Sequence, residues 1–227
     1  MLLSALKQTN PKLAEKTTHI SHGMVRLPEG KMSSRTGKVI SAEWLINEVE
    51  GKITEIVVKS SKVEKDQVND TSEKLAISSI KYSFLKNSIG KDISFDFDES
   101  LSLEGNSGPY LEYTFARCNS ILTSLDSESE INFISSSYEM NEDEMAIMRQ
   151  LVKYPETVSE AAQNYAPHLI CNYLFNLAQK YNLFYHNNPI LKSTDEEKML
   201  RLMITEATAQ VLQNGLHLLG IQTVEKM

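Results

Sequence analysis

The second half of the chain has the spacing of apolar residues that is typical of amphipathic helices. Thr194 and Glu197 have the spacing of a capping box, and Gly220 is placed to end the helix that follows. The apolar residues of this last helix fall on one broad face: Leu200, Met203, Ile204, Ala207, Val211, Leu212 and Leu218. We expect an antiparallel helical bundle, with helices at roughly 109–125, 141–153, 156–164, 167–186 and 194–219.

The first half mixes short strand patterns with helices. Residues 19–27 (HISHGMVRL) and the alternating segment ISFDF at 93–97 favour strands. Ser41 is placed to cap a helix in which Trp44, Leu45, Val49, Ile53, Ile56 and Val57 recur near helical spacing. A further helix, from about residue 72 to residue 86, is predicted to bury an apolar stripe of Leu75, Ile77, Ile80, Phe84 and Leu85. The chain as a whole is therefore expected to be mainly α, with a small α/β part before the bundle.

Composition changes this picture only locally. The formal net charge of -7 argues against binding a nucleic acid through overall charge. Residues 1–60, however, carry 9 Lys and Arg against 6 Asp and Glu, so a basic patch is possible there. Cys118 and Cys171 are expected to be reduced core thiols, and the absence of a signal peptide or a long apolar run in this sequence favours the cytoplasm.

The segment GKMSSRTG at 30–37 carries the clearest chemistry. It places two cations and two serine hydroxyl groups between two glycines, immediately before a predicted helix. Such groups suit a nucleoside triphosphate, because charge moves onto the leaving pyrophosphate during adenylation. The segment is not a Walker A loop, and it resembles the KMSKS signature of class I aminoacyl-tRNA synthetases.

Three segments together resemble arginyl-tRNA synthetases and follow one another in that family's order. They are HISHGMVRLPEGKMSSRTGKVISAEWLI, LEGNSGPYLEYTFARCNSIL and RLMITEATAQVLQNGLHLLGIQTVEKM. The resemblance covers almost all the chain. It implies that residues 1–105 are the last part of a catalytic domain and that residues 106–227 are a helical, DALR-type anticodon-binding domain.

The resemblance also implies an ATP site. Lys31, Met32, Ser33, Ser34 and Arg35 would form the loop over ATP, with Lys31 and Arg35 as its catalytic cations. Ser34 stands where the signature has its second lysine. Whether Arg35 or a lysine outside this chain replaces that lysine stays open.

The implied reaction joins L-arginine to its tRNA with ATP and releases AMP and diphosphate. Magnesium would arrive with ATP, no metal is expected on the side chains of this segment, and the full-length enzyme is expected to be a monomer.

HISHG at 19–23 resembles the HIGH signature of these enzymes in letters only, so His19 and His22 are expected to be strand residues. We therefore expect Met1 to be a boundary within a longer protein, and the fragment to be inactive alone.

The residues predicted to bind tRNA are Tyr110, Tyr113, Arg117 and Met227, and the resemblance favours Tyr110, Arg117 and Met227 among them. Aromatic rings stack on unpaired bases, and polar side chains bind base edges. Aromatic residues at helical spacing also fill cores, so a core role for Tyr110 stays open. A second helix offers further residues of this kind, which are Asn172, Tyr173, Asn176, Tyr181 and Tyr185. Glu112 stands where the family more often has Gln.

Other functions remain compatible with the sequence. The chain could be a stand-alone tRNA-binding module without catalysis, or a purely structural helical bundle. Within the ligases, a fragment of a cysteinyl-type synthetase shares a related helical domain. Only the segments GPYLEYTFAR and NGLHLLGI favour the arginyl family over it.

Overall fold

The computed structural model describes residues 2–28, 41–60, 62–124 and 138–227, and this part of the chain is mainly helical, as predicted. The strands β1 (Val25–Arg26) and β2 (Ile93–Ser94) pair in parallel. Among the described helices, none is long and apolar enough to cross a membrane. The helices are α1 (Leu2–Thr9), α2 (Pro11–Glu15), α3 (Ala42–Ser60), α4 (Val68–Leu85), α5 (Phe97–Ser100), α6 (Gly108–Thr123), α7 (Glu142–Val152), α8 (Tyr154–Gln163), α9 (Pro167–Asn187) and α10 (Asp195–Leu218).

Helices α6 to α10 form the predicted bundle, and their ends lie close to the predicted ones. Pro167 occupies the first turn of α9, where its missing N–H leaves no hydrogen bond unmade. The Thr194 N–H and hydroxyl both bind the Glu197 carboxylate, which caps α10. Gly220 follows α10 with φ +69°, the left-handed conformation that glycine adopts most easily. The bundle core includes both cysteines, with Leu111, Ile147, Leu174, Leu177 and Leu212.

A second hydrophobic cluster joins the first half of the chain to the bundle. Its buried members include Val49, Ile53, Val57, Leu75, Phe95, Ala116, Val224 and Met227. The Ser41 hydroxyl accepts the Trp44 N–H at 3.1 Å, so the predicted cap of α3 is confirmed. Because this cluster contains residues from both sides of position 105, the two predicted domains share apolar contacts. The boundary itself stays a prediction.

Helix α4 differs from its prediction in start and in buried face. It begins at Val68, and its predicted apolar stripe is only half-buried at Ile77, Ile80, Phe84 and Leu85. Four serines are buried on this helix instead, which are Ser72, Ser78, Ser79 and Ser83. Gly108 lets α6 approach α4 closely at Ser78, since a Cβ on Gly108 would lie 2.7 Å from the Ser78 carbonyl oxygen.

The strand predictions were wrong for most of their length. Two residues of each segment pair with each other, and His19 and His22 lie in the irregular chain before β1. After β2 the Asp96 carboxylate accepts the Glu99 N–H at 2.9 Å and starts α5, which ends the extended segment. The two short strands are held further by the ion pair between Arg26 and Asp92, at 2.6 Å.

Candidate functional site

A pocket of about 670 Å³ lies between α6, α9 and the segment that follows α10. Residues 221–227, called the C-terminal segment below, form one wall. Helix α6 forms the floor, and α9 contributes Tyr185. Its lining includes the side chains of Lys62, Tyr113, Arg117, Tyr185, Lys226 and Met227.

Arg117 is held at the centre of the pocket by two aromatic rings. Its guanidinium carbon lies 4.8 Å from the ring centre of Tyr113 and 4.8 Å from that of Tyr185. One terminal nitrogen donates to the Tyr113 hydroxyl at 3.2 Å, and the other donates to the side-chain oxygen of Asn182. Cation–π contact and hydrogen bonding therefore fix the plane and the direction of this cation.

Asn182 connects Arg117 to the bundle interior. Its amide nitrogen donates to the Tyr110 hydroxyl at 3.0 Å and to the Thr114 hydroxyl at 2.9 Å. The ring of Tyr110 is only 9% exposed and packs edge-on against Phe175, with ring centres 5.6 Å apart. Tyr110 thus lies beneath the pocket and supports it through Asn182.

The C-terminal wall is anchored by burial and by a carboxyl group of α6. Val224 and Met227 are buried in the second cluster, with Met227 6% exposed. Glu112 is fully buried, and its carboxyl accepts the Val224 N–H at 3.1 Å and the Ser78 hydroxyl at 3.2 Å. Burial raises the pKa of Glu112 to about 8, against the opposing effect of these two hydrogen bonds.

The charge of the pocket is opposite to that of the chain. Three of its lining side chains are cationic, Lys62, Arg117 and Lys226, whereas Glu225 is anionic. The Lys62 ammonium lies 5.8 Å from the ring centre of Tyr113, on the same ring that Arg117 contacts. A chain of formal charge -7 therefore carries a locally positive concave surface.

Three of the four residues predicted for tRNA binding, Tyr113, Arg117 and Met227, lie together in this pocket, and Tyr110 lies below it. The candidate side chains on α9 lie in different surroundings. Tyr185 lines the pocket, whereas Tyr173 and Tyr181 are core residues whose hydroxyls donate to the Gln150 carbonyl and to Thr205. Asn172 and Asn176 are exposed.

Sequence reasoning missed Asn182, Lys62 and Lys226. Asn182 could have been found, because it precedes Tyr185 by three positions and so shares its helix face. The predicted ATP-binding residues, Lys31 to Arg35, lie outside the described residues.

The comparisons with known proteins find relatives of the bundle that carries this pocket. The family model of the DALR anticodon binding domain matches residues 111–227. An arginine–tRNA ligase of Halobacterium salinarum is 34% identical over 212 residues, which cover 93% of this chain and 33% of that protein. One from Clostridium kluyveri is 34% identical over 229 residues and covers 100% of this chain and 40% of that protein.

Solved structures show the same relationship. The Thermus thermophilus arginyl-tRNA synthetase superimposes with a TM-score of 0.85 at 29% identity, over 99% of this chain and 38% of that one. The Plasmodium falciparum arginyl-tRNA synthetase shares the fold, with a TM-score of 0.74 at 23% identity over 97% of this chain and 39% of that one. The chain thus spans about a third to two fifths of the length of the curated relatives named here. With a match that covers the bundle from α6 to its last residue, the chain belongs to the family of DALR anticodon-binding domains.

Proposed function

We propose that the pocket around Arg117 binds the anticodon loop of an arginine tRNA. The observation that carries the proposal is the fixed guanidinium between Tyr113 and Tyr185, in a concave surface with three cations. An anticodon loop offers unpaired bases and phosphates, which are recognised by stacking and by charge-assisted hydrogen bonds. A local positive surface allows this binding in a chain with excess negative charge.

The geometry supports different roles for the pocket residues, with Tyr185 stacking on a base and Arg117 making charged hydrogen bonds. Tyr185 is 42% exposed, so its ring offers area on which a splayed base can stack. The hydrogen bonds described for Arg117 use two of the five N–H donors of a guanidinium. Donors remain for a phosphate or a base oxygen. Met227 adds an apolar, polarisable contact at the edge of the pocket.

Fluorescence anisotropy with a labelled hairpin of the arginine tRNA anticodon arm tests this proposal. Arg117→Ala should raise the dissociation constant at least about tenfold, as expected when a charged contact of ~1.5–3 kcal/mol is lost. Arg149→Ala is the matched control, because Arg149 is an exposed arginine on α7, outside the pocket. Equal effects of the two substitutions would show that the hairpin responds to overall charge and that the pocket is not its site.

We further propose that the longer protein containing this chain is an arginine–tRNA ligase. The relatives named above carry that name, which favours the arginyl over the cysteinyl interpretation. In that reaction ATP, with its magnesium ion, and L-arginine form an adenylate before transfer to tRNA. Lys31 and Arg35 would bind the ATP phosphates, a role that rests on their resemblance to the KMSKS signature.

Arginine-dependent pyrophosphate exchange, measured with arginine tRNA present, tests the catalytic proposal in a protein that includes the upstream part found in the relatives. Lys31→Ala should lower the exchange rate far more than it weakens arginine binding, because the lysine acts on charge that develops in the transition state. Lys38→Ala, which removes a cation just after the signature, should change the rate little. An unchanged rate in Lys31→Ala would remove Lys31 from the mechanism. Hairpin binding without any exchange would favour the stand-alone RNA-binding module.

A further inference from the structure

Glu112 joins three parts of the chain that meet beside the pocket. It lies on α6 between Leu111 and Tyr113, its carboxyl binds the Ser78 hydroxyl of α4, and it accepts the Val224 N–H of the C-terminal segment. No part of the residue is exposed. A glutamate next to a pocket residue would ordinarily face water or the ligand. This one faces the segment that forms the pocket wall.

We propose that Glu112 is a positioning residue for RNA binding, whose neutral, buried carboxyl group holds the C-terminal segment against α6, and whose ionisation loosens that segment. The inference rests on the proposed function of the pocket, because the segment contributes Glu225, Lys226 and Met227 to its lining. Glu112 itself is not expected to touch RNA.

Few hydrogen bonds keep the C-terminal segment packed against the bundle. Gly220 ends α10, and the Lys81 ammonium of α4 donates to its carbonyl oxygen. The Ile221 N–H then binds the Leu216 carbonyl at 2.9 Å. Val224 follows three residues later, and its N–H would be a buried donor without a partner if Glu112 moved away. An unsatisfied buried group of this kind costs ~1–3 kcal/mol, so the segment and the carboxyl group should move together.

The electrostatic surroundings make the neutral form the stable one in the closed arrangement. Burial is the largest influence and raises the pKa of Glu112 from 4.5 to about 8, while the bonds to Val224 and Ser78 oppose it. The charged groups on the adjoining elements are Asp70, Glu73, Lys74 and Lys81 on α4, Arg117 on α6, and Glu225 with Lys226 on the segment. None of them is among the causes of the shift. A charged carboxylate here needs water, and water reaches it only if the segment opens.

The sign of the pH dependence follows from this shift. The closed arrangement binds one more proton than the open one between the ordinary pKa of 4.5 and the raised pKa of about 8. Its stability is therefore greatest below pH 4.5 and is lost as the pH rises towards 8. Across that range the opening equilibrium should rise about tenfold per pH unit, since one proton is released on opening.

The experiment compares the unmodified chain with Glu112→Gln. Glutamine keeps an oxygen that accepts the Val224 N–H, and its amide nitrogen can donate to the oxygen of the Ser78 hydroxyl, but it cannot ionise. Hydrogen exchange of the Val224 amide, corrected for its intrinsic rate, should show protection that falls about tenfold per pH unit in the unmodified chain from pH 5.5 to 7.5. In Glu112→Gln the protection should stay constant. The anticodon hairpin should bind the unmodified chain several-fold more weakly at pH 8.5 than at pH 6, and Glu112→Gln equally at both.

Controls separate this inference from the proposed function. Glu160→Gln removes an exposed carboxylate on α8 and should keep the pH dependence of the unmodified chain. Ser78→Ala removes a hydrogen bond that lowers the Glu112 pKa, so this pKa should rise in the variant. The pH range over which the Val224 amide loses protection should then extend to higher pH. If Glu112→Gln does not fold, an unchanged pH profile in Ser78→Ala overturns the inference. The inference is also overturned if the protection of the Val224 amide changes equally with pH in Glu112→Gln and in the unmodified chain. If no protein binds the hairpin, the proposed function fails, and the Val224 exchange alone decides the role of Glu112.

Discussion

Replacing Asn182 by alanine removes the side chain that connects Arg117 to the bundle interior. Three hydrogen bonds disappear: one from the Arg117 guanidinium, one to the Tyr110 hydroxyl and one to the Thr114 hydroxyl. The stacking of Arg117 between its two tyrosines remains. The substitution therefore loosens the cation without removing it.

The expected magnitudes differ for stability and for binding. Net hydrogen-bond contributions are ~0.5–1.5 kcal/mol for neutral partners and more for charged ones. Asn182 is half-buried, so water replaces part of each bond, and we expect the free energy of unfolding to fall by ~1–2 kcal/mol. On binding RNA, the freed arginine must be fixed again, at ~0.5–1.5 kcal/mol for such a side chain. The dissociation constant of the anticodon hairpin should rise about two- to twelvefold.

Thermal denaturation and fluorescence anisotropy measure the two effects on the same samples. Asn176→Ala is the matched control, because Asn176 is an exposed asparagine on the same helix, outside the pocket lining. It should leave both quantities nearly unchanged. A stable Asn182→Ala protein with unchanged hairpin affinity would refute the idea that the orientation of Arg117 contributes to binding.

Substitutions at three further residues test the packing of the bundle. Arg201 binds Glu144, which is fully buried, at 2.8 Å, so Arg201→Met should lower the free energy of unfolding by ~3–5 kcal/mol. The additional change Glu144→Leu should restore part of it, because it removes the unpaired charge but also the hydrogen bonds from the Asn141 N–H and the Tyr138 hydroxyl. If denaturant unfolding shows no recovery of stability in the double variant, an uncompensated charge is not the cause of the stability lost in Arg201→Met. Tyr110→Ala should destabilise the chain by ~3–5 kcal/mol, and Tyr110→Phe by only ~1 kcal/mol; a stable Tyr110→Ala with weakened hairpin binding would instead indicate direct contact with RNA.

The helices of the bundle were predictable because their signals are local. Pro167 in the first turn of α9 and the Thr194 capping box act within one helical turn of their own helix. The buried serine face of α4 was not predictable in this way. Ser78 is buried because Gly108, on another helix, lets the two backbones approach closely. No periodicity within α4 encodes that contact.

The residues of the candidate site also differ in whether local sequence signals predict them. Tyr113 and Arg117 are four residues apart on α6 and therefore share a face, which sequence reasoning can recognise. The position of that face against Tyr185 depends on how α6 and α9 pack. Glu112 was the least predictable residue, since its partners Ser78 and Val224 lie 34 and 112 positions away. Met227 was found only through the family resemblance.

The most direct test of the pocket uses the methionine methyl groups as reporters. Met227 lines the pocket, whereas Met203 is exposed on α10 and lies outside it. In a ¹³C-methyl NMR titration with the anticodon hairpin of an arginine tRNA, the Met227 signal should shift in proportion to bound RNA while the Met203 signal stays in place. Arg117→Ala should reduce the Met227 shift at the same hairpin concentration. A Met227 signal that stays unchanged in a saturated complex would contradict the assignment of this pocket as the anticodon site.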